Sequence, residues 1–257
     1  MEIQHATDIK RGEDFSVLIY AQPGVGKTST LRYLPGRTLV IDVDRTTNVL
    51  AGLPNIDVVK LDTKHPLEGA RTLLGEIHST QLGNYDNIAF DNLSEFEQAW
   101  LGEKANEAKT KSGADMGIPQ MNDYNQFGFY LPDMIRFINS WPGVNKVYTA
   151  WEATRQIDTP TGQTYNQFVP QMREKLVTNV MGLMNVVGRM VISDKTGARG
   201  FILKPSNAAF AKNQLDDRQF ALPETLFTEI GGDMNVSTPS VPDKAGQPSK
   251  TGTSKRQ

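Results

Sequence analysis

The sequence contains no cysteine, which removes disulfides, thiolate metal sites and cysteine nucleophiles together. No run approaches the ~20 apolar residues of a membrane span. The opening Met-Glu-Ile-Gln-His-Ala-Thr-Asp lacks the apolar core of a secretory signal. The expectation is a soluble, cytoplasmic protein without a membrane partner. Neither sign of charge dominates: 27 basic and 29 acidic side chains leave a formal net charge of -2. That excludes a globally basic nucleic-acid coat and leaves room only for a local basic patch. His5, His65 and His78 stand apart from every motif and have no ligand spacing, so they are expected to be solvated.

What is present is an ordinary globular composition, 257 residues with 38% hydrophobic and 22% charged side chains, enough for one α/β domain with a real core. Short β-rich runs alternate with helical patterns, which predicts a mainly parallel sheet with crossover helices. The strand candidates are residues 16–21, 38–43, 57–61, 87–91 and 146–150. Leu67, Ala70, Leu73, Leu74 and Ile77 recur at helical spacing. Ser94-Glu-Phe-Glu97 reads as a capping box, and residues 127–138 read as a helix that Pro132 starts or breaks. Two β-rich runs, 185–192 and 199–204, predict a hairpin closing the sheet edge. The domain is expected to span residues 1–232. In 233–257, Ser, Thr, Pro, Gly and Lys dominate, which predicts a disordered basic tail carrying Lys244, Lys250, Lys255 and Arg256.

The strongest chemical signal is Ala21-Gln-Pro-Gly-Val-Gly-Lys-Thr28, between a strand and a helical pattern. It reads as a phosphate-binding loop (Walker A). Gly24 and Gly26 let the backbone curl so that successive N–H groups face phosphate oxygens, and a helix N-terminus adds partial positive charge. Gln22, Pro23, Gly24, Val25, Gly26, Lys27, Thr28 and Ser29 are the candidate nucleotide contacts. Lys27 is expected on the β- and γ-phosphates of ATP and the Thr28 hydroxyl on Mg²⁺.

Asp91 ends the run Asn87-Ile-Ala-Phe and is the candidate second metal-holding acid (Walker B); the alternative is a helix cap. Asp42 and Asp44 close the second strand, on the same side by alternation. Asp44 could deprotonate the attacking water, or both could simply form a turn. Thr149 or Glu152, ending the fifth strand, could feel the γ-phosphate; an exposed Glu152 is the plain alternative.

This series of motifs resembles the RecA-like core. It looks closer still to small phage-encoded AAA-type nucleotide-binding proteins, among them Sak-type single-strand annealing ATPases, over residues 12–230. The resemblance implies a RecA-like P-loop NTPase fold and a DNA-stimulated ATPase of phage recombination or replication, using ATP and Mg²⁺ in the host cytoplasm. It implies single-stranded DNA, further copies of the chain and a single-strand binding protein as partners. DNA-binding loops would follow the fourth and fifth strands, with Lys104, Lys109 and Lys111 in one and Arg155, Tyr165, Phe168 and Arg173 in the other. A cation reaching a neighbour's nucleotide would be Lys212 or Arg218. Three positions depart from the pattern: Asp44 stands where a glutamate is usual, Trp151 where a histidine is frequent, and 211–218 is a stretched form of a late basic segment. A P-loop small-molecule or nucleotide kinase, a non-catalytic ATP-stabilised DNA-binding scaffold and a helicase loader are the competing readings.

Overall fold

The computed structural model describes residues 5, 8, 10–110, 113–114, 116–158, 162 and 164–231. Lys111, most of the turn at 159–162 and the tail from 233 lie outside the described residues. At the centre is β1 (Ser16–Ala21), buried along its whole length. Its alternation serves two cores: Leu18 and Tyr20 enter one, Val17, Ile19 and Ala21 the other. Such a strand must be covered on both faces, as parallel strands are.

β1 pairs in parallel with β5 (Asn145–Asp158) on one side and β7 (Val186–Ile192) on the other. Beyond β5 follow β4 (Asn87–Asp91), β2 (Thr38–Asp42) and β3 (Ile56–Lys60), all parallel. Beyond β7 the sheet turns antiparallel through β8 (Arg199–Ile202) and β10 (Phe220–Ala221), while β9 (Lys212–Asn213) pairs with the start of β7. The expected hairpin is therefore β7–β8, but β10 rather than the hairpin closes that edge of the sheet. The far half of β5 pairs antiparallel with β6 (Thr164–Pro170), from Glu152 opposite Pro170 to Asp158 opposite Thr164.

One face carries α2 (Pro66–Glu76), α3 (Leu93–Glu107), α4 (Met121–Asn139) and α5 (Glu174–Gly182). Leu74, Phe96, Trp100, Phe127, Leu131 and Val180 from these helices fill the core there. The other face is covered more thinly, by Leu31 and Leu34 after α1 (Lys27–Thr30) and by Leu226, Phe227 and Ile230 near the end of the described chain. A mainly parallel sheet flanked by helices, with the phosphate loop leaving its central strand, is the RecA-like P-loop architecture expected.

Four local expectations are corrected. Pro132 lies inside α4 rather than at its start or at a break; the apolar face of Phe127, Leu131, Met134 and Ile135 is buried around it, and that packing outweighs the lost backbone bond. The cap of α3 is Asn92, whose side-chain oxygen accepts from Glu95 N at 2.7 Å. Ser94 instead donates to the Gln171 carbonyl (2.7 Å) and accepts from Trp151 N (2.9 Å). The helix after the phosphate loop has only four α-helical residues before a 3₁₀ turn, so the dipole expected to assist the loop is small. Finally, β5 does not stop at 150; the stretch read as a loop is a two-stranded ribbon projecting past the sheet.

Candidate functional site

Parallel strands bring their carboxyl ends to one edge, and the register aligns them: Ala21 lies opposite Trp151, and Asp42 opposite Asp91. Gly24 (φ 82°) and Gly26 (φ 116°) both take left-handed conformations, as the curl of the loop requires. Lys27, only 7% exposed, donates to the carbonyls of Ala21 (3.0 Å) and Gln22 (3.2 Å). An ammonium has three donors, so one N–H remains for a further acceptor. Burial lowers the Lys27 pKa, against the pull of the Asp91, Asp44 and Glu152 carboxylates. Val25 N meets the Gln22 carbonyl at 3.4 Å and closes the loop on itself.

Asp91 is 1% exposed at the end of β4. It accepts from the Thr28 hydroxyl at 2.7 Å and, on its other oxygen, from the Thr149 hydroxyl. Burial pushes its pKa up to about 6, against the two hydroxyls that favour its charged form. A hydroxyl and a carboxylate side by side, hard oxygen donors with room beside them, suit Mg²⁺ held jointly with phosphate oxygens and water. Among the described residues no cluster of three or more His, Cys, Asp or Glu could cage a metal alone.

Pro23, Gly24, Gly26, Lys27, Thr28, Ser29, Asp44, Asp91 and Trp151 line one cavity of about 270 Å³. Asp44 lies half-buried in the bend after β2. One of its oxygens receives Thr46 N (3.2 Å) and the Thr46 hydroxyl (2.6 Å), the other the Asn92 side-chain amide at 2.5 Å. It is thus a turn former and a cavity acid at once. Asp42 is a turn former only: 1% exposed, it accepts from Arg45 N (2.8 Å) and the Thr47 hydroxyl (2.7 Å). β2 ends at Asp42, so strand alternation does not extend to Asp44, which lies in the bend that follows.

Glu152 is not at the phosphate cavity. Alternation along β5 turns Thr149 and Trp151 one way and Glu152 the other. Its carboxylate, 4% exposed, accepts from Arg189 Nε at 2.6 Å, and the Arg189 guanidinium stacks 3.5 Å over the Phe168 ring. This burial removes the exposed alternative, and the Arg189 pair occupies both carboxylate oxygens. Thr149, weighed beside it, bonds Asp91 directly.

Lys212 and Arg218 are committed within the chain. Lys212 Nζ donates to the carbonyls of Met184 (2.5 Å), Gly182 (3.2 Å) and Met181 (3.5 Å), capping the end of α5. It lies beside the first residues of β7, the edge opposite the phosphate loop. Arg218 pairs with Asp216 (2.9 Å) and donates to the carbonyls of Thr225 and Leu226. The candidate DNA contacts are engaged too. Lys104 pairs with Glu107 at 2.5 Å and lies over Trp100. Arg155 donates to Gln167 at 3.0 Å, and Phe168 sits under Arg189. Arg173 donates to the Tyr124 carbonyl and stacks on that ring. Tyr165 is half-buried in β6 and Lys109 is exposed. Of the histidines, His5, His65 and His78 are all exposed.

Residues 13–215 match the family AAA_24, described as an AAA domain. Among solved structures, the chain is similar to a prototypical ATPase from the type III secretion system of pathogenic bacteria: 14% identity over 71% of this chain and 52% of that one, TM-score 0.43. It is similar also to the assembled ATPase EscN of the enteropathogenic E. coli type III secretion system: 13% identity over 69% of this chain and 43% of that one, TM-score 0.42. The chain spans about half the length of these two proteins. No curated protein matches it.

Two predictions follow from this geometry. Asp91→Asn is expected to stabilise the nucleotide-free protein. The unfolded carboxyl ionises near 3.8 and the folded one near 6, so the folded state holds a proton longer and stability falls as pH rises between those values. The Asn variant has no such fall. Its gain, about 1–3 kcal/mol, should be complete above pH ~6 and vanish below pH ~4, as thermal melts across that range would reveal. Lys212→Ala should lower stability by about 1–2 kcal/mol and leave nucleotide turnover per folded molecule unchanged; a selective loss of turnover would restore Lys212 to a site.

Proposed function

The chain belongs to the AAA domain family, and we propose that it is a P-loop ATPase that binds ATP with Mg²⁺ and hydrolyses it. The observation carrying this reading is convergence: Lys27, Thr28, Asp44 and Asp91, from three separate strand ends, line one cavity. The loop N–H groups and Lys27 bind the phosphates, and Lys27 neutralises charge that grows on the transferred group. Thr28 and Asp91 are the residues that would hold Mg²⁺, which when bound withdraws charge from the phosphate oxygens. Asp44 is oriented by Asn92 and Thr46. It accepts a proton from the water whose oxygen bonds to the γ-phosphorus as the bond to the ADP oxygen breaks. That proton then passes to the released phosphate.

We extend the proposal, on the motif resemblance, to a homo-oligomer acting in annealing or strand pairing on single-stranded DNA in phage recombination. What supports a polymer-sensing role is mechanical. The β5–β6 ribbon continues the strand whose Thr149 bonds Asp91 and whose Trp151 lines the phosphate cavity, so a load on the ribbon reaches the site through two residues of backbone.

ATP turnover measured with and without single-stranded DNA tests both halves. Turnover raised by DNA supports the polymer role. Turnover raised instead by a small phosphate acceptor means a kinase, and none under any condition removes the hydrolase reading. Lys27→Ala is expected to lower turnover at least a hundredfold. Asp44→Asn should retain ATP affinity while slowing hydrolysis by a similar factor; normal hydrolysis in that variant would move the base elsewhere.

A further inference from the structure

A second cavity, of about 430 Å³, flanks the phosphate loop on the side away from Asp91. Tyr33, Arg199, Leu222 and Glu224 line it together with Gly26 and Ser29, which also line the phosphate cavity. The two spaces therefore adjoin across the first turn of α1, yet their chemistry differs. Asp44 and Asp91 stand on one side; the cation Arg199 stands on the other.

Arg199 opens β8, directly after the β7–β8 turn. Its side chain lies on the bare face of Gly26: a Cβ placed there would be 3.4 Å from Arg199 Nε and 3.6 Å from its Cζ. The guanidinium is exposed, and among the described residues it makes no hydrogen bond or ion pair. Its neighbour Arg32 is committed, donating to the carbonyls of Ser29 and Val49 at 3.0 Å each. Glu224 is held toward the cavity wall by the Tyr33 hydroxyl at 3.2 Å. An unpaired planar cation thus rests on the one glycine shared by both cavities. The adjoining space lies within the ~300–1,000 Å³ range of small-ligand pockets.

We propose that Arg199 is an in-chain binding residue for the nucleotide, pairing with its α-phosphate while the ribose and base occupy the cavity beyond. This rests on the nucleotide reading above and fixes the direction in which the ligand lies. The γ-phosphate points to Asp44 and Asp91, and the nucleoside runs under the β7–β8 turn. A guanidinium fork suits phosphate oxygens, and the Glu224 carboxylate can accept from ribose hydroxyls. Bound nucleotide would then tie the β7–β8 hairpin to the phosphate loop, a link made by the ligand itself.

The test is ADP binding by titration calorimetry at low and raised salt, for the wild type, Arg199→Ala and Arg199→Lys, with melting temperatures of the free proteins alongside. Arg199→Ala is expected to weaken ADP about tenfold, to flatten the salt dependence and to leave the free protein's melting temperature unchanged. Arg199→Lys should recover part of the affinity, since the charge is kept and the fork lost. A photoreactive azido-adenine analogue of ADP should label peptides containing Tyr33 or Glu224. Wild-type affinity and salt slope in Arg199→Ala, or label on the Asp44 and Trp151 peptides instead, would overturn the assignment while leaving the ATPase reading intact. If the wild type itself binds no ADP, the nucleotide reading fails and this proposal with it.

Discussion

One buried carboxylate ties three adjacent strands together at the sheet's carboxyl edge. Asp91 ends β4; its two oxygens take hydroxyl hydrogens from Thr149 on β5 and from Thr28 at the head of the helix after β1. Burial, with the Asp44 and Asp42 carboxylates nearby, drives the acid toward its neutral form, while the Thr149 and Thr28 hydroxyls favour the charged one. Burial is the larger influence, and it raises the pKa to about 6. A buried anion with only hydroxyl partners is under-compensated, and a cation arriving beside Thr28 would relieve that imbalance. On the proposed reading, the same tension that costs the empty fold stability would favour a metal–phosphate complex at the site.

A second buried charge is compensated fully and plays a different part. Glu152 and Arg189 pair at 2.6 Å with both side chains largely out of water, and Phe168 closes over the guanidinium. The Tyr20 hydroxyl donates to the carbonyls of Phe168 and Phe210 just beneath. These contacts clamp the root of the β5–β6 ribbon to β1 and β7. Between this clamp and Asp91 lie only Ala150 and Trp151 on one continuous strand. The site and the ribbon are thus two ends of one stiff element, which is why the proposed polymer sensing needs no separate relay.

The sequence announced those parts whose chemistry is local. The phosphate loop needs two glycines, a lysine and a threonine within a few residues, and Asp91 follows an apolar run; both can be read without knowing the fold. Asp44 and Asp42 could not be separated, because the difference lies in the bend after β2, where Arg45 N and the Thr47 hydroxyl occupy Asp42 and leave Asp44 on the cavity. Glu152 was misread because its meaning depends on strand length. A fifth strand ending at residue 150 would leave it in a loop; the strand that runs to 158 buries it by alternation. Lys212 shows the deeper limit. Its charge is plain in the sequence, but the carbonyls it caps lie 28 to 31 residues earlier and meet it only through pairing with β7. Arg199 left no signal at all, since its closeness to Gly26 is a product of the hairpin's register.

These placements bear on how a chain of net charge -2 can hold a polyanion. Its overall field gives no attraction, so the affinity must come from a few cations at short range. Lys27 has the Asp91, Asp44 and Glu152 carboxylates around it, which oppose a phosphate there, and on that flank a divalent ion would shift the balance. Arg199 shares its cavity with the Glu224 carboxylate, to which the Tyr33 hydroxyl donates. On the proposed reading, the two flanks divide the ligand by its own chemistry: the flank of Thr28 and Asp91 would take the reacting phosphates with a metal ion, and the flank of Arg199 the part of the molecule that stays whole.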